Sequence, residues 1–421
     1  MQPVRFVHAA DLHLDAPFRG LSLDSQELGR KLRQTTFSAL DSLVELCLRV
    51  RADFLLVAGD VYNQEDRSLR AQLRFRDALA RLWENGVAAY VVHGNHDPLG
   101  TASQAVQWPE NTCVFESDEP ECSPYVREGQ TLALIHGASH VGSGEWRNLA
   151  RSFRRSREDV FQIGLLHCNL GGNTGHEPYA PCDLEDLRSS GLDYWALGHV
   201  HSGGVRAEDP YVVYPGNIQG LNITETGERG CYVVDVKPDR AVEAAFHPLD
   251  AVRWTRIEVD IADLASLDRL EETLLQAVEA EQAESGNRGL ICRVVLRGRG
   301  PLHAHVSDEE GQDDLLQRFR EHFTATEPLV WIKDIRVETA PDIDLQARRR
   351  QQDFLGEVLA QAEKIQNRED RVELLHKEIL SELFGHRRAK RFLRSLSPEE
   401  TDELLRRAEL LCADWLEQSG D

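Results

Sequence analysis

The residues of this chain with evident chemistry stand at the ends of short apolar runs. Val87-Ala88-Ala89-Tyr90-Val91-Val92 leads to Gly94-Asn95-His96-Asp97. Val4 to Ala10 leads to Asp11-Leu12-His13, and Phe54 to Ala58 leads to Gly59-Asp60. Tyr194 to Leu197 leads to Gly198-His199-Val200-His201, and Ile163 to Leu166 ends at His167. Open α/β sheets place ligands beyond the carboxyl ends of their strands. Strands ending this way would gather amide, imidazole and carboxylate groups in one pocket, which is the chemistry of a metal site.

The groups are Asp11, His13, Asp60, Asn95, His96, His167, His199 and His201. Two carboxylates, one amide and four imidazoles fill two metal positions and leave one imidazole over. Asp60 is the natural bridge, which holds two ions about 3.5–4 Å apart in hydrolases of this type. Oxygen and nitrogen donors without thiolate suit Mn²⁺, Fe²⁺ or Zn²⁺ over Mg²⁺ or Ca²⁺, and Mn²⁺ is the expected metal. Such ions generate hydroxide near neutral pH and neutralise phosphate charge. The spare imidazole, His96, stands beside Asn95 and is the expected proton donor to the leaving oxygen. Asp97 is placed to orient a neighbouring imidazole.

A single His-x-His or Asn-His-Asp is ordinarily a capped turn; the repetition at five strand ends is what points to metal. His136 and His140 also follow a strand, and a hydrogen-bonded structural role is expected for them. His176 faces substrate or braces a loop, and Cys168 beside His167 reads as a small buried hydrophobe.

Elements with the right periods surround these ends. Leu28 to Leu46 and Arg70 to Asn85 recur at helical spacing. The runs Tyr211 to Tyr214, Cys231 to Val236 and Val242 to His247 are closely spaced without helices, which predicts a second, more antiparallel sheet. The expected body is an α/β (α+β) two-sheet sandwich flanked by helices, over residues 1–250. Strand and helix patterns then alternate as β-α-β-α-β over 251–341, the size of a small domain. From Ile343 the pattern is helical, giving a segment over 342–421. Apolar stripes usually pack on their own domain, but short helices after a complete small domain have little left to bury against, which favours a partner.

With 421 residues the chain is long enough for several cores. Its apolar runs are strand-sized and its N-terminus has no basic region before an apolar core, so neither a membrane span nor a signal peptide is expected. Eight scattered cysteines without Cys-x-x-Cys suit reduced thiols and a cytoplasmic setting. A net charge of −23 argues against a generally basic nucleic-acid binder. Cations nonetheless cluster at Arg147, Arg151, Arg154, Arg155 and Arg157, and at His386, Arg387, Arg388, Lys390, Arg391 and Arg394. Each cluster is either a local phosphate grip or a solvated face.

The ordered set Asp-x-His, Gly-Asp, Gly-Asn-His-Asp, lone His and Gly-His-x-His resembles the calcineurin-like metallophosphoesterase family. The stretches Ala10 to Phe18 and His176 to Cys182 are similar to its SbcD-type DNA-repair exonucleases, and within them to the YhaO-like branch. Tyr62 stands where the family more often has Phe, away from the ligands. The resemblance implies that Asp11, His13, Asp60 and His201 hold one metal, that Asp60, Asn95, His167 and His199 hold the other, and that His96 is catalytic. It also implies a phosphoesterase domain, a capping domain that restricts which DNA shapes reach the metals, and C-terminal helices that grip an SbcC-type coiled-coil ATPase. The implied activity is exonuclease and endonuclease action on DNA ends, with homodimerisation expected through helices near Leu28 to Leu46 or residues 66–82. Two other readings stand beside it: a phosphodiesterase for a small nucleotide, and a non-catalytic scaffold subunit of the ATPase complex.

Overall fold

The computed structural model describes residues 1–21, 26–63, 68–99, 106–142, 144–171, 179–323, 326–375 and 397–418. Its chain divides into two compact units. The first comprises Met1–Ile257, Val278–Arg293 and Arg320–Asp334, and the second comprises Glu258–Ala277, Val294–Phe319 and Ile335–Asp421.

In the first unit, β1 (Val4–Ala9), β2 (Phe54–Ala58) and β3 (Ala88–Val92) are parallel neighbours joined through α1 (Gln26–Val50) and α2 (Leu69–Glu84). β2 and β3 are apolar throughout, and β1 is apolar apart from Arg5 and His8, because both faces of the sheet are covered, as parallel sheets require. Ser68 starts α2 by accepting a hydrogen bond from the Ala71 N–H at 3.1 Å. β4 (Thr112–Val114) extends the sheet on one side, and β11 (Gly230–Val236) and β12 (Val242–Pro248) extend it antiparallel on the other, in the order β12-β11-β1-β2-β3-β4.

A second sheet holds β5 (Glu121–Arg127), β6 (Gln130–Ala138), β7 (Phe161–His167), β8 (Tyr194–Gly198), β9 (Gly204–Glu208) and β10 (Tyr211–Tyr214), ordered β5-β6-β7-β8-β10-β9. The expected two-sheet sandwich is therefore present, but its second sheet is composed differently from the sequence reading. The late strands do not make a sheet of their own. β10 joins β8 in parallel, whereas β11 crosses back to pair antiparallel with β1, Val4 opposite Val236. Local hydrophobicity cannot report which long-range partner a strand takes, because both sheets offer an apolar edge.

Packing explains the layers. Phe37, Leu40, Leu43 and Val44 of α1 and Leu79 and Leu82 of α2 cover Leu55, Val57 and Val91 on one face of the first sheet. Phe6, Phe54 and Tyr90 on its other face meet Ile135, Phe161, Ile163 and Tyr194 of the second sheet. Burying each such side chain contributes about 1.5–3 kcal/mol. Phe153, Trp195, Leu197 and Leu187, the last from α3 (Leu184–Ser189), close the outer face of the second sheet. The order helix, sheet, sheet, helix is consistent with the calcineurin-like phosphoesterase fold.

Three further strands, β13 (Val252–Asp260), β14 (Gly289–Arg299) and β15 (Val330–Ala340), pair in that order. The second unit contains α5 (His303–Val306) and most of α6 (Glu309–Phe323), and α4 (Leu267–Glu284) begins in it. It also contains α7 (Leu345–Arg349), α8 (Phe354–Gln366), α9 (Arg371–Leu374) and α10 (Pro398–Gln418). α8 and α10 bury Leu355, Leu359 and Ala413 together, and Arg349 of α7 bonds Glu409 of α10. Part of the apolar stripe expected to seek a partner is thus used internally, while Phe354, Leu404, Leu411 and Trp415 remain exposed. The basic cluster from His386 to Arg394 lies outside the described residues, as does His176. Among the described residues no helix is long and apolar enough to cross a membrane.

Candidate metal centre

The carboxyl ends of β1, β2, β3, β7 and β8 meet, and the loops after them are stitched together by main chain. The Asp11 N–H donates to the Gly59 carbonyl at 3.1 Å, and the His13 N–H donates to the Asp60 carbonyl at 3.0 Å. Asp11, His13 and Asp60 have φ of 52°, 42° and 52°, and His199 has φ of 98°. A left-handed backbone is unfavourable for residues other than glycine and persists where the surroundings impose it, often at functional sites. Here it turns each side chain back over the strand ends.

Two glycines make the close approach possible. Gly59 has φ of 88°, and a Cβ on it would lie 2.5 Å from His167 Nδ1. A Cβ on Gly94 would lie 2.2 Å from Asp60 Oδ1. A methyl group at either position would push a carboxylate or imidazole out of place.

The side chains converge with their acceptor atoms inward. His13 Nδ1 lies 2.7 Å from Asn63 Oδ1 and His201 Nδ1 lies 2.7 Å from Glu225 Oε1, so each ring donates outward. Their Nε2 atoms then face each other at 3.2 Å. Two such lone pairs tolerate that distance only when a cation is shared there, either a proton or a metal ion. His167 Nδ1 lies 2.9 Å from the Ala58 carbonyl oxygen, and its Nε2 lies 2.9 Å from Asn95 Oδ1 and 3.4 Å from Asp60 Oδ2. His199 Nδ1 is 3.2 Å from the same Asn95 oxygen, and the His199 N–H donates to the Asp11 carboxylate at 3.1 Å. Asp11, His13 and His201 form one group able to hold an ion, and Asp11, Asp60 and His167 form a second, the atoms of each lying within 4.8 Å of one another. The donor set fits divalent cations.

Burial sets the electrostatics. Asp11 is pushed up to about 6 by desolvation, against the pull of His201 and His167. Desolvation would raise Asp60 too, yet the charges of His167, His13 and His96 hold its carboxyl far below the ordinary range. Burial likewise opposes charge on His167, but Asp60 and Asp11 raise it to about 9, while desolvation lowers His13 to about 4. Two buried carboxylates share one imidazolium, and a buried charge of this kind is stabilised by pairing or by metal coordination.

All eight residues singled out by sequence come together. His96 donates its main-chain N–H to Asp60 Oδ1 at 2.9 Å, and its ring lies 5.2 Å from that of His13. Asp97 faces a neighbouring imidazole as expected, that of His93, whose Nδ1 lies 3.9 Å from its carboxylate, and it has a second part. Its carboxylate accepts the N–H groups of Val61 and Gly94, each at 2.8 Å, and so ties the β2 loop to the β3 loop. His136 and His140 are hydrogen-bonded as expected, His136 to Gln162 and His140 to the His167 carbonyl. Cys168 is fully buried with its sulfur 3.7 Å from that of Cys182. Sequence reading missed Asn63, Glu225 and Tyr179, whose ring stacks on His199 at 5.8 Å. None of the three closes an apolar run, so the pattern that found the ligands could not find them.

Residues 4–203 match the family model for calcineurin-like phosphoesterase, and residues 254–340 match that for the middle domain of metallophosphoesterase YhaO. The uncharacterized metallophosphoesterase YhaO of Bacillus subtilis is 37% identical over 81% of this chain and 83% of its own. The DNA double-strand break repair protein Mre11 of Aeropyrum pernix is 26% identical over 71% of this chain and 74% of its own. That of Methanopyrus kandleri is 24% identical over 76% and 71%.

Proposed function

This chain belongs to the calcineurin-like phosphoesterase family, and on that premise we propose that it is a metal-dependent nuclease that hydrolyses phosphodiesters at DNA ends. Members of the family use a dinuclear metal centre, and this chain has the ligand groups for one. The observation that carries the reading is the pair of imidazole nitrogens facing each other at 3.2 Å beside two buried carboxylates. Asp11, His13, Asp60 and His201 hold the first ion, Asp60, Asn95, His167 and His199 the second, with Mn²⁺ the expected metal. Bound ions supply a hydroxide nucleophile and neutralise phosphate charge. His96 protonates the leaving oxygen, held near the site by its main-chain bond to Asp60.

The DNA substrate is supported by the DNA-repair proteins among the relatives. Residues 1–250 form the nuclease domain, 251–341 a capping domain, and 342–421 a helical segment whose exposed Phe354, Leu404, Leu411 and Trp415 suit a coiled-coil ATPase of the SbcC type. The chain works in the cytoplasm as a homodimer.

One observation favours a second reading, a phosphodiesterase for a small nucleotide. Three of the five arginines in the first cluster are already paired with carboxylates. Arg147 bonds Glu145 and Asp118, Arg151 bonds Asp186, and Arg155 pairs with Asp193 at 2.8 Å.

The test is Mn²⁺-dependent cleavage of end-labelled duplex DNA beside bis-p-nitrophenyl phosphate. Wild type cleaves both, and His96→Ala lowers turnover about 10²–10⁴-fold while still binding Mn²⁺. Cleavage of the small diester alone transfers the conclusion to the second reading. Cleavage of neither overturns both.

A further inference from the structure

The outward nitrogen of His201, a proposed ligand, meets a carboxylate at hydrogen-bond distance. Glu225 Oε1 lies 2.7 Å from His201 Nδ1, and the side chain is nearly buried, with 11% of its surface exposed. Its other oxygen is also used. Glu225 Oε2 accepts the Leu221 N–H at 2.7 Å and the Asn217 side-chain amide at 2.9 Å. The carboxylate thus has one oxygen on the ligand and one on its own loop.

That loop is fastened at several points. Gln219 accepts the Ala251 N–H at 2.9 Å, and Trp254 Nε1 donates to the Gly220 carbonyl at 3.0 Å. Leu221 is buried with Phe18 and Trp254. The Leu221 carbonyl accepts the Arg19 N–H at 2.9 Å, and the Gly227 N–H donates to the Trp254 carbonyl at 3.1 Å. Rotation of Glu225 away from His201 would break its bonds to Leu221 and Asn217, so the carboxylate has little freedom to leave.

We propose that Glu225 is a positioning residue for the Asp11, His13 and His201 metal position, fixing the His201 ring so that Nε2 presents its lone pair to the ion. The inference rests on the dinuclear reading given above. Carboxylate-oriented imidazoles are stiffer and more basic ligands, and removing the outer partner typically costs 10–100-fold in metal affinity. Glu225→Gln has one acceptor where Glu225 has two. With its oxygen kept on the Leu221 N–H, its amide N–H₂ faces the His201 Nδ1–H, donor against donor, and the ring loses the tautomer that coordinates; with its oxygen kept on His201, the N–H₂ faces the Leu221 N–H and the loop that holds the side chain loosens.

The experiment is Mn²⁺ binding to metal-free protein, followed by calorimetry and electron paramagnetic resonance. Wild type takes two ions; a wild type that takes none refutes the dinuclear reading itself and not the role of Glu225 within it. Glu225→Gln is expected to weaken one ion 10–100-fold and leave the other unchanged, because His167 is oriented by the Ala58 carbonyl and not by a side chain. Glu225→Asp, which keeps the charge but withdraws it by one methylene, is expected to lose less. Whichever variant melts within a few degrees of wild type carries the test. Two ions bound at wild-type affinity, or both weakened equally, overturns the proposal, since a merely structural role would not select one position.

Discussion

His13 and His201 take their orientation from side chains, Asn63 and Glu225, whereas His167 takes its orientation from the Ala58 carbonyl. The two sides of the centre are therefore open to different kinds of damage. A side-chain anchor can be removed by one substitution; a main-chain anchor changes only if the strand moves. β2 cannot easily move, because Ala58 is fully buried and β2 is paired on both sides, with β1 and with β3. The Asp11, His13 and His201 side is thus adjustable, and the side around Asp60 and His167 is built into the sheet.

Asp60 faces both sides, 3.9 Å from His13 Nε2 and 3.4 Å from His167 Nε2, and as the proposed bridge its removal should have the largest effect. Asp60→Ala is expected to abolish binding of both Mn²⁺ ions. It also leaves the buried His167 imidazolium with Asp11 alone, 4.0 Å away, which costs less than the about 3–5 kcal/mol of a buried charge left with no partner. Calorimetric titration and thermal melting of the metal-free variant check the two parts separately. Retention of one tightly bound ion would show that the sides are independent and that Asp60 is not shared.

A smaller effect should distinguish the sides. Asn63→Ala removes the acceptor that fixes His13 while leaving its ring buried. About tenfold weaker binding at one position is expected, at the low end for outer partners, because an amide is a weaker acceptor than a carboxylate. Equal weakening of both ions would mean that the two sides do not differ in how their imidazoles are anchored.

The same contrast explains what could be read from sequence. Every proposed ligand at a strand end was legible, because an apolar run followed by Asp, Asn or His records both the strand and its terminus. Helices α1 and α2 were legible from their period, and Gly59 and Gly94 from their place before Asp60 and Asn95. Asn63 and Glu225 were not, since they act across the fold from loops with no period of their own. The pairing of β11 with β1 was also hidden, because it joins residues more than 200 apart in sequence, Val4 to Val236. Arg147, Arg151 and Arg155 looked available because Asp118, Asp186 and Asp193, which pair with them, are distant in sequence.

Proton release offers the finest test of the sheet-anchored side. With Nδ1 donating to Ala58, only Nε2 of His167 can bind an ion, and in the metal-free protein that nitrogen carries a proton up to about pH 9. Its folded value lies above the ordinary 6.5, so the ion pair with Asp60 adds stability that is complete below about pH 6.5 and gone above pH 9. Mn²⁺ must displace the same proton. Binding at pH 7.5 should therefore release a proton, visible as dependence of the calorimetric heat on buffer ionisation enthalpy, and affinity should rise with pH until about 9. The metal-free protein should meanwhile lose thermal stability across that window while the Mn²⁺-loaded protein does not. His167→Gln should remove this component of the proton release. An unchanged release in that variant would assign the proton to the other side, where His13 and His201 stand nitrogen to nitrogen.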